Sequence, residues 1–191
     1  MSDTPTVPKE PPHAALMPAA GDLWVFGYGS LMWDPGFEHV AAEKARLHGY
    51  HRAFCMYSHR HRGTADRPGL VLALDRGGSC QGIAYRVHRD RADTVLAYLW
   101  EREMPRYAYL PRRLKASVRG RTVDCVTFVA DRTQPNYAGR LSAEAAAAVI
   151  AEAVGERGRN RDYLASTVRH LEELGIADGV IHQIWRIVEG R

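Results

Sequence analysis

Two acidic residues, a glycine-flanked loop and a set of tyrosines are the parts of this chain best suited to chemistry. Glu101 and Glu103 sit in Trp100-Glu101-Arg102-Glu103-Met104. On a helix, positions two apart point to different sides. Glu103 follows Leu99 by four residues and shares its side, so it turns toward the interior. Glu101 follows Ala97 by four and is expected in solvent. A carboxyl on an inward face has its pKa raised by desolvation and can act as a base. The alternative is a helix-end carboxylate paired with Arg102 or Arg106, and the sequence leaves both readings open.

Gly27-Tyr28-Gly29-Ser30-Leu31 follows directly on the apolar run Leu23-Trp24-Val25-Phe26. Glycine allows φ > 0 and lets another molecule approach the backbone. A strand opening into such a loop offers backbone N–H groups as a cradle for an anion or oxyanion. No Gly-Lys-Ser/Thr follows, so it is not a P-loop. It also lacks the Gly-x-Ser-x-Gly of a hydrolase elbow. The plainer alternative is a tight strand-to-loop turn. Taken with residues 100–104, the loop suggests a cofactor-free enzyme acting on an amide in a small polar substrate. Tyr107, Tyr109, Tyr137 and Tyr163 each read as core residues with a polar tip. His59 and His61 alternate like ligands, but no third ligand is placed by sequence, so they read as a loop pair and no metal is expected. Residues 155–160 form a turn-rich connection.

The elements that must position these groups follow from periodicity and breakers. Leu23–Tyr28 reads as a strand buried on both faces, and Arg46–Tyr57 as a second. Ser58–Gly69 is a surface loop. Leu70–Leu74 and Ser79–Val87 read as a hairpin turning at Asp75-Arg76-Gly77-Gly78. Asp90–Met104 has helical spacing and is stopped by Pro105. Tyr109–Val118 and Thr122–Val129 form a second hairpin around Arg119-Gly120-Arg121. Ser142 is the N-cap of an Ala-rich helix over 143–154, which Gly155 ends. Asn160 or Asp162 caps a helix running through Leu174, and Asp178–Val188 is the last. This order predicts an α+β fold, with short strands able to close into a small barrel.

Composition narrows the function further. The chain has 191 residues, is 46% hydrophobic and carries a net charge of +4, which suits one globular domain. Its arginines are scattered, without the interleaved aromatics of a nucleic-acid surface. The mild positive charge suits a small anionic substrate. Cys55, Cys80 and Cys125 are odd in number and widely spaced, arguing for reduced thiols in a cytoplasmic setting. No stretch is long and apolar enough for a membrane span, and no signal peptide is evident. Residues 1–21 hold five of the ten prolines and read as a disordered tail, with 22–191 as the folded domain.

The motifs together resemble the ChaC family of glutathione-specific γ-glutamylcyclotransferases. The resemblance runs through residues 24–33 (Trp-Val-Phe-Gly-Tyr-Gly-Ser-Leu-Met-Trp), Arg62-Gly63-Thr64 with Pro68-Gly69, and Gly82-Ile83-Ala84-Tyr85-Arg86. It continues through residues 100–104, Tyr109-Leu110-Pro111, Asn136-Tyr137-Ala138-Gly139, and Gly158-Arg159-Asn160 with Tyr163-Leu164. It spans about residues 22–188. Met32 stands where many relatives have Ile, and some have Phe-Arg-Glu where this chain has Glu101-Arg102-Glu103.

The resemblance implies a small, mixed, mostly antiparallel β-barrel with flanking helices. It implies Glu103 as the catalytic acid/base, with Tyr28, Gly29, Ser30, Leu31, Tyr109 and Tyr137 contacting substrate. The implied reaction converts glutathione to 5-oxoproline and cysteinylglycine without metal or cofactor. Glutathione is then the small-molecule partner, and neither nucleic acid nor membrane is implied. The alternatives are a cyclotransferase for other γ-glutamyl amino acids or amines, or a non-catalytic regulatory protein.

Overall fold

A computed structural model describes residues 13–103 and 109–190. The expectations for Met104, Pro105, Arg106 and Tyr107 lie outside the described residues.

The chain begins with a one-turn helix α1 (His13–Leu16) and strand β1 (Leu23–Gly27). Two long strands follow, β2 (Ala41–Ser58) and β3 (Gly69–Val87), then helix α2 (Ala92–Glu103). Strands β4 (Tyr109–Val118) and β5 (Arg121–Ala130) lead to α3 (Ala143–Glu152). A small hairpin of β6 (Val154–Gly155) and β7 (Gly158–Arg159) precedes α4 (Asn160–Glu173) and α5 (Gly179–Glu189). The five long strands close into a barrel in the order β1-β3-β2-β4-β5. Most pairings are antiparallel, and closure is made by the parallel pairing of β1 with β5, Trp24 opposite Cys125. Closure removes the unpaired edge that an open sheet would leave. The α+β barrel with flanking helices therefore agrees with the sequence.

β1 is apolar because it lies inside. Leu23, Val25 and Phe26 are each no more than 2% exposed. Helix α2 buries Ala92, Val95, Leu96, Leu99 and Trp100, the spacing of a single helical stripe. Ile150 of α3, Leu164 and Leu171 of α4, and Ile181 of α5 complete the same core.

The Asp75–Gly78 turn predicted from sequence is not a turn. β3 continues through it, with His51 opposite Asp75 and Tyr50 opposite Arg76. The next pair is His48 with Ser79, so Gly77 and Gly78 face the single residue Gly49. This two-against-one arrangement is a bulge that bends the strand. All three glycines have positive φ, 102°, 69° and 85° in that order, a backbone that residues with a Cβ rarely adopt. The glycines bend the sheet rather than reverse the chain. The Arg119-Gly120 hairpin does form, linking β4 and β5.

Ser142 caps α3 as predicted, its hydroxyl accepting from the Ala145 amide at 3.1 Å. α3 ends at Glu152, and Val154 and Gly155 enter the β6–β7 hairpin instead. Neither Asn160 nor Asp162 caps α4; the N-cap residue is Arg159. Asn160 is fully buried, and its amide bonds both backbone groups of Leu70 on β3. The boundary of the tail also shifts. Leu16 is 5% exposed in the core, and the Met17 carbonyl accepts from Arg113 at 3.1 Å. Leu16 and Met17 thus pack on the domain because Leu16 is an apolar side chain with a place to be buried.

Candidate active site

β1 ends where its ladder with β3 stops, at Gly27 opposite Ile83. A Cβ on Gly27 would lie 3.0 Å from Leu31 Cβ. Gly27 is thus needed for close packing of the loop on itself, and neither it nor Gly29 has positive φ. The chain then turns through a short 3₁₀ segment, Ser30–Met32. That turn consumes carbonyls: Gly29 accepts from the Met32 amide at 2.8 Å and Ser30 from the Asp34 amide at 2.9 Å. Among the described residues, no backbone carbonyl accepts from the amides of Tyr28, Gly29, Ser30 or Leu31. The loop therefore has donors to offer.

Two arginines fix this loop. Arg52 of β2 is 3% exposed. Its Nε donates to the Tyr28 carbonyl at 2.5 Å, and its terminal nitrogens donate to the Gln81 carbonyl at 2.6 Å and Asp178 at 2.7 Å. Asp178 is also the N-cap of α5, accepting from Ile181. Arg102, in the last turn of α2, donates to Ser30 Oγ at 3.1 Å, the Asp34 carbonyl at 2.8 Å and Tyr98 Oη at 2.9 Å. The end of α2 is thereby held against the loop.

Glu103 is the next residue. Its side chain is 18% exposed, and Oε1 lies 3.4 Å from Arg102 Nε. Burial pushes its carboxyl above its ordinary pKa, and the Arg102 guanidinium works against that rise. Glu101 is exposed, as its helical position predicts. Both parts of the sequence reading for Glu103 hold: it lies inward, and it pairs with Arg102.

Three tyrosines feel the charge of this carboxyl. Tyr28 is 7% exposed, and Tyr109 donates from Oη to the Leu72 carbonyl at 3.1 Å. Burial first, then neighbouring ionisable groups that include Glu103, hold both phenols well above their usual value. Tyr163 of α4 belongs to the same group. Its phenol is pushed up to about 12, chiefly by burial, while the Leu72 amide and Arg62 oppose the rise and Glu103 adds to it. Leu72 thus meets Tyr109 through its carbonyl and Tyr163 through its amide. All three phenols stay protonated at neutral pH.

The structure brings together Tyr28, Gly29, Ser30, Leu31, Tyr109 and Glu103. Tyr137 is held differently, donating to Asp75 at 2.9 Å with the Arg132 guanidinium over its ring. It packs with Cys55 and Met56 in a cluster that Tyr109 also touches. His59 and His61 are exposed on the 58–69 loop. Sequence reasoning missed Arg52 and left Tyr163 as core. The signal for Arg52 was a cation in phase with Phe54 on an otherwise apolar stretch of strand.

Comparison with known proteins gives this geometry a family. The chain is 40% identical over 171 residues to the glutathione-specific γ-glutamylcyclotransferase of Escherichia coli, covering 89% of this chain and 74% of that protein. It is 32% identical over 171 residues to the human glutathione-specific γ-glutamylcyclotransferase 1, covering 85% and 77%. A solved yeast structure, described as a γ-glutamyl cyclotransferase specific to glutathione, shares the fold with a TM-score of 0.80 at 21% identity, over 90% of this chain and 97% of that one. The family model of the ChaC-like proteins matches residues 23–191, and this chain belongs to that family.

Proposed function

We propose that this chain cleaves glutathione to 5-oxoproline and cysteinylglycine, with Glu103 as the acid/base. One observation carries the reading: a largely buried carboxyl, raised in pKa, stands beside a loop with unused amides in a ChaC-like chain. The α-amine of the γ-glutamyl group attacks its own γ-carbonyl, and a five-membered lactam closes. Attack is intramolecular, so holding the γ-glutamyl group folded supplies much of the advantage.

The amine arrives protonated, since an α-amino group ordinarily titrates at about 8, and an ammonium cannot attack. Glu103 takes that proton. The new N–C bond forms a tetrahedral oxyanion, and the amides of Tyr28–Leu31 are the donors available to it. The bond to the cysteine nitrogen then breaks: Glu103 returns its proton to the departing nitrogen, and the attacking nitrogen, which still carries two hydrogens, gives up one of them through the same carboxylate, so the lactam is neutral and cysteinylglycine leaves as its ammonium. A carboxyl does both jobs best when its pKa lies nearer neutrality than that of an exposed Glu. Tyr28 and Tyr109 remain neutral; Tyr28 serves as a wall and hydrogen-bond donor, while Tyr109, whose hydroxyl donates to the Leu72 carbonyl, serves as a wall. Reduced, buried Cys55, Cys80 and Cys125 fit a cytoplasmic setting.

The test is direct. The protein is incubated with glutathione, N-acetylglutathione and γ-glutamyl-alanine, and 5-oxoproline and glutamate are measured. Glutathione yields 5-oxoproline, the acetylated compound is inert, and γ-glutamyl-alanine is a poor substrate. Free glutamate in place of 5-oxoproline would mean hydrolysis by water, and the cyclisation would be wrong.

A further inference from the structure

Resting on the glutathione reading, we propose that Arg62 is the receptor for the glycine carboxylate of the substrate and so sets the preference for the tripeptide. Glutathione places that carboxylate two residues beyond the reacting carbonyl. Two extended residues span at most ~7 Å, so the anion must be met close to Glu103.

Tyr163 interacts with both groups. It feels the charge of Glu103 and that of Arg62, and the Arg62 guanidinium carbon sits 5.0 Å over its ring. The other cations around the site are committed. Arg52 is spent on Asp178, Arg102 on the loop carbonyls and Glu103, and Arg60 on Glu156 at 2.5 Å. Arg62 gives one nitrogen to the Arg157 carbonyl at 2.6 Å. Asp162 acts on it only through its field, and Arg157 opposes that field. Among the described residues, no carboxylate lies within ion-pair distance of Arg62. A partly buried cation without a contacting counter-ion is costly unless an anion is brought to it. A guanidinium offers five donors, enough for a carboxylate fork beside the Arg157 carbonyl.

The position is also fixed in advance. The Arg62 amide donates to Ser58 Oγ at 3.0 Å. The loop is tied to the β6–β7 turn by Glu156 N to Arg60 O at 2.8 Å and Arg157 N to His61 O at 3.0 Å. Little loop ordering remains to be done on binding. Asn160, bonded to Leu70, holds the start of α4, and hence Tyr163, to β3 beneath the same site.

The experiment compares glutathione with its glycine carboxamide, in the wild type and in Arg62→Gln and Arg62→Lys. The readout is kcat/KM for 5-oxoproline release. Wild type prefers the carboxylate by ~10–100-fold, the range of a charge-assisted hydrogen bond. Arg62→Gln brings the ratio to about one, by raising KM for glutathione much more than KM for the carboxamide. Arg62→Lys keeps the charge without the fork and gives an intermediate ratio. It also serves as the folded comparison should Arg62→Gln misfold. A wild type indifferent to the carboxamide overturns the proposal, as does an unchanged ratio in Arg62→Lys or Arg62→Gln. Absence of 5-oxoproline from both peptides in wild type would instead sink the cyclotransferase reading on which it rests.

Discussion

Arg52→Met is the substitution whose cost follows most directly from the geometry. Methionine keeps the unbranched apolar stem of arginine but lacks the guanidinium and so removes every donor. Four partners lose their bonds: the Tyr28 carbonyl, the Gln81 carbonyl, the Asp178 carboxylate and, more weakly bound, Met32 Sδ. Arg52 is 1% exposed in its side chain and Asp178 18%, so this ion pair is shielded from solvent. Removing one partner of a buried pair costs ~3–5 kcal/mol. At roughly 2–4 °C per kcal/mol for a chain of this size, the melting temperature falls by about 6–20 °C. Arg52→Met with Asp178→Asn should recover part of the loss, because no unpaired charge remains. The assay is a thermal melt of the three proteins followed by circular dichroism, with turnover measured well below the lowest melting point. Turnover should fall even where the variant is folded, since Tyr28 loses its anchor. Arg52→Met melting within ~2 °C of wild type would refute the claim that this cation fastens the loop to the barrel.

Glu103→Gln should lower kcat with glutathione by ~10²–10⁴-fold with circular dichroism unchanged, while Glu101→Gln costs little; the reverse result would move the acid/base by two positions. Stability should carry the mark of the same carboxyl. Its folded pKa is raised, so between its unfolded and folded values the native state binds more protons than the unfolded chain, and stability falls as pH rises through that window. Glu103→Gln should therefore melt at or above wild type near neutral pH, measured by a pH series of melts. Wild-type activity should fall on the acid side with an apparent pKa above the ordinary carboxylate range, read from kcat/KM against pH. Deleting residues 1–21 removes the buried Leu16, so the melting temperature should drop, by calorimetry, rather than stay unchanged.

Several features of this protein could be read from residues alone, because they are local. The inward face of α2 follows from the spacing of Val95, Leu96 and Leu99, which turns Glu103 inward and Glu101 outward with no knowledge of the barrel. The Ser142 cap and the Arg119-Gly120 hairpin need only their neighbours in the chain. The order of motifs along residues 22–188 was enough to suggest a family, and with it an α+β barrel. What escaped was set by distant partners. Asp75–Gly78 looked like a turn because its glycines favour one, yet the long partner strand β2 holds it extended and converts the turn into a bulge. Asn160 looked like a cap, yet Leu70, far back in the chain, takes its amide. Leu16 lay in a proline-rich stretch, and only the assembled core shows that there is room for it. Arg52 and Arg62 look alike as letters. Folding gives one an aspartate from the far end of the chain and leaves the other over Tyr163, with no carboxylate in ion-pair contact among the described residues. That difference is electrostatic and three-dimensional, so only the tertiary structure could assign it.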